Sequence, residues 1–196
     1  MASGTFRYWF LAWNLFLAWL PVLFAWIFRR NLNLKRLLHW SNIVLLVLWL
    51  GFLPNSFYIL SDFIHLSSTY EVNLLYDVVL FASFAINGLI LGMMALYMVH
   101  AALVQKVRLR YAHGFIALVL LLCSFAIYLG RYLRWNTWDV LVNPAGLLFD
   151  VSDRIINPGS YPRTFTTTFT FFVLLGSLYY LVWELVAYLK DSGREA

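Results

Sequence analysis

Five long runs of apolar residues constrain this chain more than any other feature of its sequence. They lie near residues 6–28, 37–53, 77–103, 114–130 and 165–189. An α-helix rises about 1.5 Å per residue, so ~20 residues cover the ~30 Å hydrocarbon core of a bilayer. In lipid every backbone polar group must be satisfied within the protein, which favours helices for these runs. The pattern predicts an all-α polytopic membrane protein with one transmembrane helical domain over residues 1–196.

The composition agrees with a membrane location. Hydrophobic residues make up 63% of the chain and charged residues only 12%, against about 25% charged residues in soluble domains. The lipid bilayer is therefore the expected surroundings. The net charge is +5, but the basic residues form short clusters and no continuous basic face, so no nucleic acid partner is expected. The single cysteine, Cys123, lies in an apolar run and is expected to be a small buried side chain.

The basic clusters predict the orientation of the chain. Nine of the fourteen lysines and arginines lie in the linkers 29–36 and 105–110 and in the tail from residue 190. Cytoplasmic segments of membrane proteins carry an excess of these residues. The N-terminus is therefore expected outside and the C-terminus in the cytoplasm. The long connections 54–76 and 130–164 then face outside. Within the second, the stretch VNPAGLLFDVSDRIINPGSYPR carries three prolines and two glycines, which predict an irregular loop.

The outer connection after the second run, LPNSFYILSDFIHLSS, predicts an amphipathic or re-entrant helix over residues 55–69. Helical spacing places one narrow polar stripe on it, formed by Asn55, Tyr58, Asp62, His65 and Thr69. Large apolar side chains cover the rest of its surface. Such a helix fits the outer edge of a bundle, with its polar stripe turned toward protein or a wet cavity.

Asp62 and His65 are three residues apart, close enough on a helix to interact. Three interpretations are open. The carboxylate orients the imidazole in a structural pair, or the two act in acid–base or nucleophilic chemistry, or they bind a metal with a third ligand from elsewhere. The residues identify no particular metal or cofactor.

A second polar segment, GRYLRWNTWD, leaves the fourth run on the same side. If the helix continues, Arg131, Trp135 and Asp139 share one face, and Arg134 lies over Trp138. Tryptophans and snorkelling arginines are typical of a membrane interface. The same groups suit an anion site, because guanidinium forks bind phosphate and carboxylate. Both interpretations are open.

Three blocks of the chain, LPNSFYILSDFIHL, YDVVLFASFAINGLILGMMALYMVH and YLGRYLRWNTWDVLVNP, resemble the bacterial membrane family catalogued as domain of unknown function 1361. The resemblance spans roughly residues 45–175. It implies an integral membrane protein of the bacterial cell membrane and implies no activity. The residues that match the blocks are Pro54, Asn55, Tyr58, Asp62, His65, Asp77, Gly88, Gly92, Gly130, Arg131, Arg134, Trp135, Trp138, Asp139 and Pro144.

Two hypotheses for function follow. In the first, the outer face binds or acts on a lipid-linked or anionic substrate. Its catalytic residues would be Asp62, His65 and Asp139, and its binding residues Asn55, Tyr58, Arg131, Arg134, Trp135 and Trp138. In the second, the protein is an accessory subunit that packs against larger membrane-protein partners. A haem held by two of His39, His100 and His113 is a further alternative.

Overall fold

The computed structural model of the protein describes residues 9–61 and 74–195, and this part of the chain is helical with no β-strand. The helices are α1 (Trp9–Leu34), α2 (Trp40–Tyr58), α3 (Leu74–Val104), α4 (Leu109–Tyr132), α5 (Asp139–Val142), α6 (Pro144–Ile156) and α7 (Pro162–Glu195). A short 3₁₀ helix, Pro158–Ser160, connects α6 to α7.

Within the described residues, five helices are long and apolar enough to span a membrane, which confirms the predicted fold class. The candidate spans are Trp9–Leu34, Trp40–Ser61, Leu75–Val104, Leu109–Tyr132 and Pro162–Gly193. They fall into two compact units, Met1–Arg108 and Leu109–Ala196. The single membrane domain expected from the sequence stays a prediction.

In the first unit, α1, α2 and α3 all pack against one another. The buried side chains include Phe28, Trp49 and Phe57. Pro21 lies inside α1 and has no backbone N–H for the carbonyl four residues before it. The buried hydroxyl of Ser56 donates to the neighbouring carbonyl of Ala18 at 3.2 Å, so α2 supplies a polar contact close to this proline.

Two glycines allow α2 and α3 to approach closely. A Cβ added to Gly88 would lie 2.7 Å from the backbone oxygen of Ser56, and one added to Gly92 would lie 2.5 Å from the Phe57 ring. Helices in membranes commonly meet at such small residues, because lipid offers no hydrophobic force to drive them together. The G-x-x-x-G pattern of α3 therefore lies at a helix–helix contact.

The second span is longer than its apolar run. Its N-cap is His39, whose Nδ1 accepts a hydrogen bond from the backbone N–H of Ser41. Pro54 lies inside α2, and the chain stays helical to Tyr58 and continues as a 3₁₀ turn over residues 59–61. The first part of the predicted 55–69 helix thus extends α2. The rest, with Asp62, His65 and Thr69, lies outside the described residues.

In the second unit, α4 and α7 pack together around Val119, Ile127, Leu175 and Tyr179. Cys123 is fully buried, as the sequence predicts.

The connection from α4 to α7 differs from the irregular loop that its prolines and glycines predict. That prediction is wrong, because residues 144–156 form α6. Pro144 occupies the first turn, where the missing N–H costs nothing and the fixed φ favours a helix. The side chain of Asn143 caps the helix by accepting a hydrogen bond from Gly146 N at 3.1 Å. The prolines of this segment therefore begin helices.

Candidate functional site

A buried arginine forms the centre of a polar cluster in the second unit. Arg154 lies in the last turn of α6 and is 7% exposed. Its Nη1 donates to the carbonyl oxygen of Asp150 at 2.7 Å and to the Asp150 carboxylate at 3.2 Å. Its Nε donates to the Tyr128 hydroxyl of α4 at 3.3 Å, and its guanidinium lies 4.7 Å from the centre of the Tyr161 ring. The guanidinium is therefore fixed by groups from three parts of the chain.

Asp150 is held from two sides. One carboxylate oxygen accepts from Arg154, and the other accepts from the indole N–H of Trp135 at 2.7 Å. The Asp150 side chain is 30% exposed. Because both oxygens have partners, this carboxylate orients the arginine and also ties the segment after α4 to α6. Trp135, predicted as a binding residue, therefore serves as a hydrogen-bond donor within the cluster.

Asp153 belongs to a second hydrogen-bonded group beside Arg154. Its carboxylate accepts from the Tyr161 hydroxyl at 2.5 Å and from the Asn157 amide at 2.7 Å. These bonds, the one from Tyr161 first, lower the pKa of Asp153 below the usual carboxyl value and outweigh desolvation. The bond to Asp153 and its negative charge raise the pKa of Tyr161. The pair is therefore stable with Asp153 ionised and Tyr161 protonated.

Two further arginines lie near the cluster. The guanidinium of Arg163, in the first turn of α7, lies 5.5 Å from the centre of the Tyr132 ring, a cation–π distance. Arg134 follows the end of α4. Its backbone φ angle is 60°, a left-handed conformation that is uncommon for residues other than glycine. Within the described part of the chain, neither arginine forms an ion pair. Both charges therefore have no counterpart among these residues.

The fourth helix does not continue through residue 139. The α4 helix ends at Tyr132, so the shared face of Arg131, Trp135 and Asp139 is not present. Asp139 instead accepts a hydrogen bond from the backbone N–H of Asn136 at 2.6 Å and begins the short helix α5. Trp138 precedes α5 and is 46% exposed.

An apolar cleft opens beside Arg154. It has a volume of about 710 Å³ and lies between α4, α6 and α7. Its apolar lining is formed by Leu121, Leu122, Phe125, Ile155, Phe165 and Phe169. Arg154 and three threonines, Thr164, Thr166 and Thr168, are its polar lining. The volume is within the range of about 300–1,000 Å³ typical of small-molecule sites.

Three of the residues that the sequence pattern singled out lie in the first unit. Asn55 is half-buried in the last turn of α2, and its amide donates to the Phe52 carbonyl at 3.1 Å. Tyr58 is the last residue of α2. Asp77 is buried in the first turn of α3, where a carboxylate favours a helix start. In residues 9–61 and 74–195, no three His, Cys, Asp or Glu side chains are grouped to hold a metal.

Asp150 and Arg154, the centre of the cluster, are not among the residues that the sequence pattern predicted for a site. Asp150 and Arg154 are four residues apart, the spacing of an ion pair on one helical face, and this signal was present in the sequence. Because this stretch was expected to be an irregular loop, the helical spacing of the two residues was not considered. No local signal could link Arg154 to Tyr128, which is 26 residues away.

The chain belongs to the family described as "Protein of unknown function (DUF1361)", whose model matches residues 13–177. The match includes the whole region of the three sequence blocks and confirms that resemblance. No curated protein and no solved structure matches the chain.

Proposed function

We propose that this member of the family binds an anionic head group, carried by a lipid or a lipid-linked molecule, at the membrane surface where α4 ends and α7 begins. The observation that carries the proposal is the imbalance between acids and bases there. The carboxylates of Asp150 and Asp153 are each engaged by two partners. Arg134 and Arg163 have no ion pair within the described residues.

The arrangement of the arginines favours phosphate or carboxylate as the ligand. Guanidinium groups bind these anions through two parallel hydrogen bonds. Stacking of Arg163 on Tyr132 restricts the arginine before any ligand arrives, which lowers the entropic cost of binding. The N-terminus of α7 adds a partial positive charge at the same place. A lipid-borne anion is the natural candidate, because the site lies at the end of two candidate spans.

The proposed location is the bacterial cell membrane, with the site on the extracytoplasmic side. The positive-inside rule supports this orientation, since the clusters 29–36 and 105–110 would be cytoplasmic. The N-terminus would be outside and the C-terminus in the cytoplasm. Fusion of a periplasm-active reporter after residue 145 should give activity, and the same fusion after residue 106 should not.

Binding can be tested by native mass spectrometry of the detergent-purified protein. The wild type should retain phosphatidylglycerol more strongly than phosphatidylcholine of the same chains. An Arg134→Gln/Arg163→Gln double variant should lose this preference. Arg110→Gln, which removes a charge at the opposite end of α4, is the matched control and should keep it. Equal retention of the two lipids by the wild type would contradict the proposal.

The role of Asp62, His65 and Asp139 in chemistry on the bound group is a proposal from the sequence alone. Their i, i+3 spacing supports Asp62 and His65 as a proton-transfer pair. An Asp62→Asn/His65→Ala variant that still retains phosphatidylglycerol separates catalysis from binding. Elemental analysis of the same variant and the wild type tests the metal-binding interpretation, because a bound metal would be lost with its ligands.

A second candidate function is that of an accessory subunit for other membrane proteins. The length of α7 supports it: the helix has 34 residues, and its buried core positions lie on the side of Leu175 and Tyr179. Large apolar side chains such as Phe169, Tyr180 and Leu185 remain exposed and could face lipid or another helix. Co-purification of one stoichiometric membrane protein, lost when Tyr180 and Leu185 are both changed to Ala, would favour this function.

A further inference from the structure

The outward face of α6 is apolar, although this helix belongs to the connection between α4 and α7. Four large side chains on it are between 66% and 73% exposed: Leu148, Phe149, Ile155 and Ile156. Helical spacing places all four on one face. The opposite face carries the ion pair of Asp150 and Arg154, which contacts the rest of the unit. A helix on the surface of a water-soluble domain has the reverse arrangement, with its polar face outward.

Ser152 is the polar residue of this outward face, and its hydroxyl is satisfied within the helix. The hydroxyl donates to the carbonyl oxygen of Leu148 at 2.6 Å, and the carbonyl oxygen of Phe149 lies at 3.0 Å. A hydroxyl in contact with water has no need of such a bond, whereas one in lipid must find its partner in the protein. The outward face of α6 is therefore compatible with hydrocarbon along its whole length.

The charged residues that flank α4 indicate how deep α6 lies. Between Arg110 and Arg131 there is no Asp, Glu, Lys or Arg, and this stretch has the length, ~20 residues, that crosses a ~30 Å hydrocarbon core. Tyr128 lies three residues before Arg131, about 4 Å inside that boundary. Its hydroxyl accepts from Arg154 at 3.3 Å. Side chains on a helix tilt toward its N-terminus, which on α4 is the deeper direction, so the contact with α6 is made below the boundary.

The apolar cleft connects the outward face of α6 to the exposed surface of the two spans. Ile155 lines the cleft together with Leu122 of α4 and Phe169 of α7. Leu122 lies nine residues before Arg131, about 13 Å deeper along the axis of α4. Both Leu122 and Phe169 are exposed on their spans, where lipid tails are the surroundings that suit apolar side chains. The outward face of α6 is therefore continuous with a surface that the bilayer covers.

We infer that α6 is an interfacial helix embedded in the leaflet at this end of α4 and α7, with its four large apolar side chains in contact with acyl chains. Helices of this kind lie in the plane of the interface, with the apolar face about 5–10 Å into the boundary between head groups and hydrocarbon. The other end of the polar face agrees with this depth. Asp150 accepts from the indole of Trp135, and tryptophans concentrate at the level of the head groups. The cleft beside Arg154 then opens to acyl chains instead of water.

Spin labels can measure the surroundings of this face directly. Cysteines that replace Phe149 and Ile156 would carry a nitroxide, with the protein reconstituted in vesicles of phosphatidylglycerol and phosphatidylethanolamine. Cys123 is fully buried, so it should stay unlabelled in the folded protein. Molecular oxygen concentrates in hydrocarbon and a polar nickel chelate stays in water. The collision rates of the nitroxide with these two reagents therefore distinguish lipid, water and protein.

The labels on α6 should behave as labels in lipid. Their collision rate with oxygen should match that of a label at Leu118, which is 53% exposed on α4. Their collision rate with the nickel chelate should be at least about tenfold below that of a label at Lys106, in the exposed turn after α3, because hydrocarbon excludes a polar solute. Phe149 and Ile156 are exposed side chains, so the labelled variants should fold as the wild type does.

Two results would overturn the inference. Frequent collisions with the nickel chelate would place α6 in water. Few collisions with both reagents would show that a protein surface covers the helix. Head-group binding is a separate property: the Arg134→Gln/Arg163→Gln variant should lose the preference for phosphatidylglycerol and keep the collision rates of the α6 labels. Failure of the proposed function and failure of this inference are therefore distinguishable.

Discussion

Replacing Arg154 by methionine should destabilise α6 by about 3 kcal/mol. The substitution keeps much of the apolar stem and removes the guanidinium. Hydrogen bonds to charged groups contribute about 1.5–3 kcal/mol each, and a cation–π contact about 0.5–1 kcal/mol. The bonds to the Asp150 carboxylate and to Tyr128 are long, at 3.2 and 3.3 Å, which favours the low end of these ranges.

The burial of the Arg154–Asp150 ion pair leads to a similar value for the destabilisation. Breaking a fully buried pair costs about 3–5 kcal/mol, because one charge is left without compensation. The Arg154 side chain is 8% exposed, but that of Asp150 is 30% exposed, so water screens the carboxylate that remains. Asp150 also keeps its bond from Trp135. The lower end of the range, about 3 kcal/mol, is therefore expected.

Hydrogen–deuterium exchange of the α6 amides measures this change where it occurs. A loss of about 3 kcal/mol in local stability raises the exchange rate about a hundredfold when opening is at equilibrium. Arg163→Met is the matched control: it removes only a ring contact at 5.5 Å and should change α6 exchange less than about fivefold.

A second substitution tests the assigned cause. Asp150→Leu in the Arg154→Met background removes the uncompensated carboxylate, so it should recover part of the lost protection. Exchange of α6 within threefold of the wild type in Arg154→Met would refute the reasoning. Equal effects of the Arg154 and Arg163 substitutions would refute it as well.

Two further predictions concern other contacts. The hydrogen bond from Tyr161 lowers the pKa of Asp153 and raises that of Tyr161, so its contribution to stability is present between about pH 4 and pH 10. It is lost as the pH falls through the lowered pKa of Asp153 or rises through the raised pKa of Tyr161. Tyr161→Phe should remove the alkaline loss and reduce the acid loss, because Asn157 still donates to Asp153 and lowers its pKa. Exchange of α6 measured against pH would detect both changes, and unchanged limbs would contradict the assignment. Gly88→Ala should destabilise the first unit by about 1–3 kcal/mol, because the new Cβ would lie 2.7 Å from a backbone oxygen. Gly51→Ala is the control and should leave the stability unchanged, because a Cβ at Gly51 would meet open space. Equal melting temperatures for the two variants would refute the close contact at Gly88.

The apolar runs were sufficient to predict the five spans, because the length of an apolar helix is set locally by the thickness of the bilayer. The ends of the helices were less predictable. The second apolar run ends just before Pro54, which nevertheless lies within α2. Pro144 was taken as a loop residue and begins α6. Proline forbids one hydrogen bond, and whether the helix continues depends on what packs around it.

The sequence by itself determined the membrane class, the spans and the candidate polar segment after α4. It predicted Arg134 and Trp135 as members of a site, but it did not identify Arg154 or Tyr128. Those depend on the tertiary structure, because a hydrogen bond needs donor and acceptor at one place in space. Helical periodicity tells which face a side chain occupies and leaves its partner undetermined. Only the packing of α4, α6 and α7 brought the arginine into the cluster and formed the apolar cleft beside it.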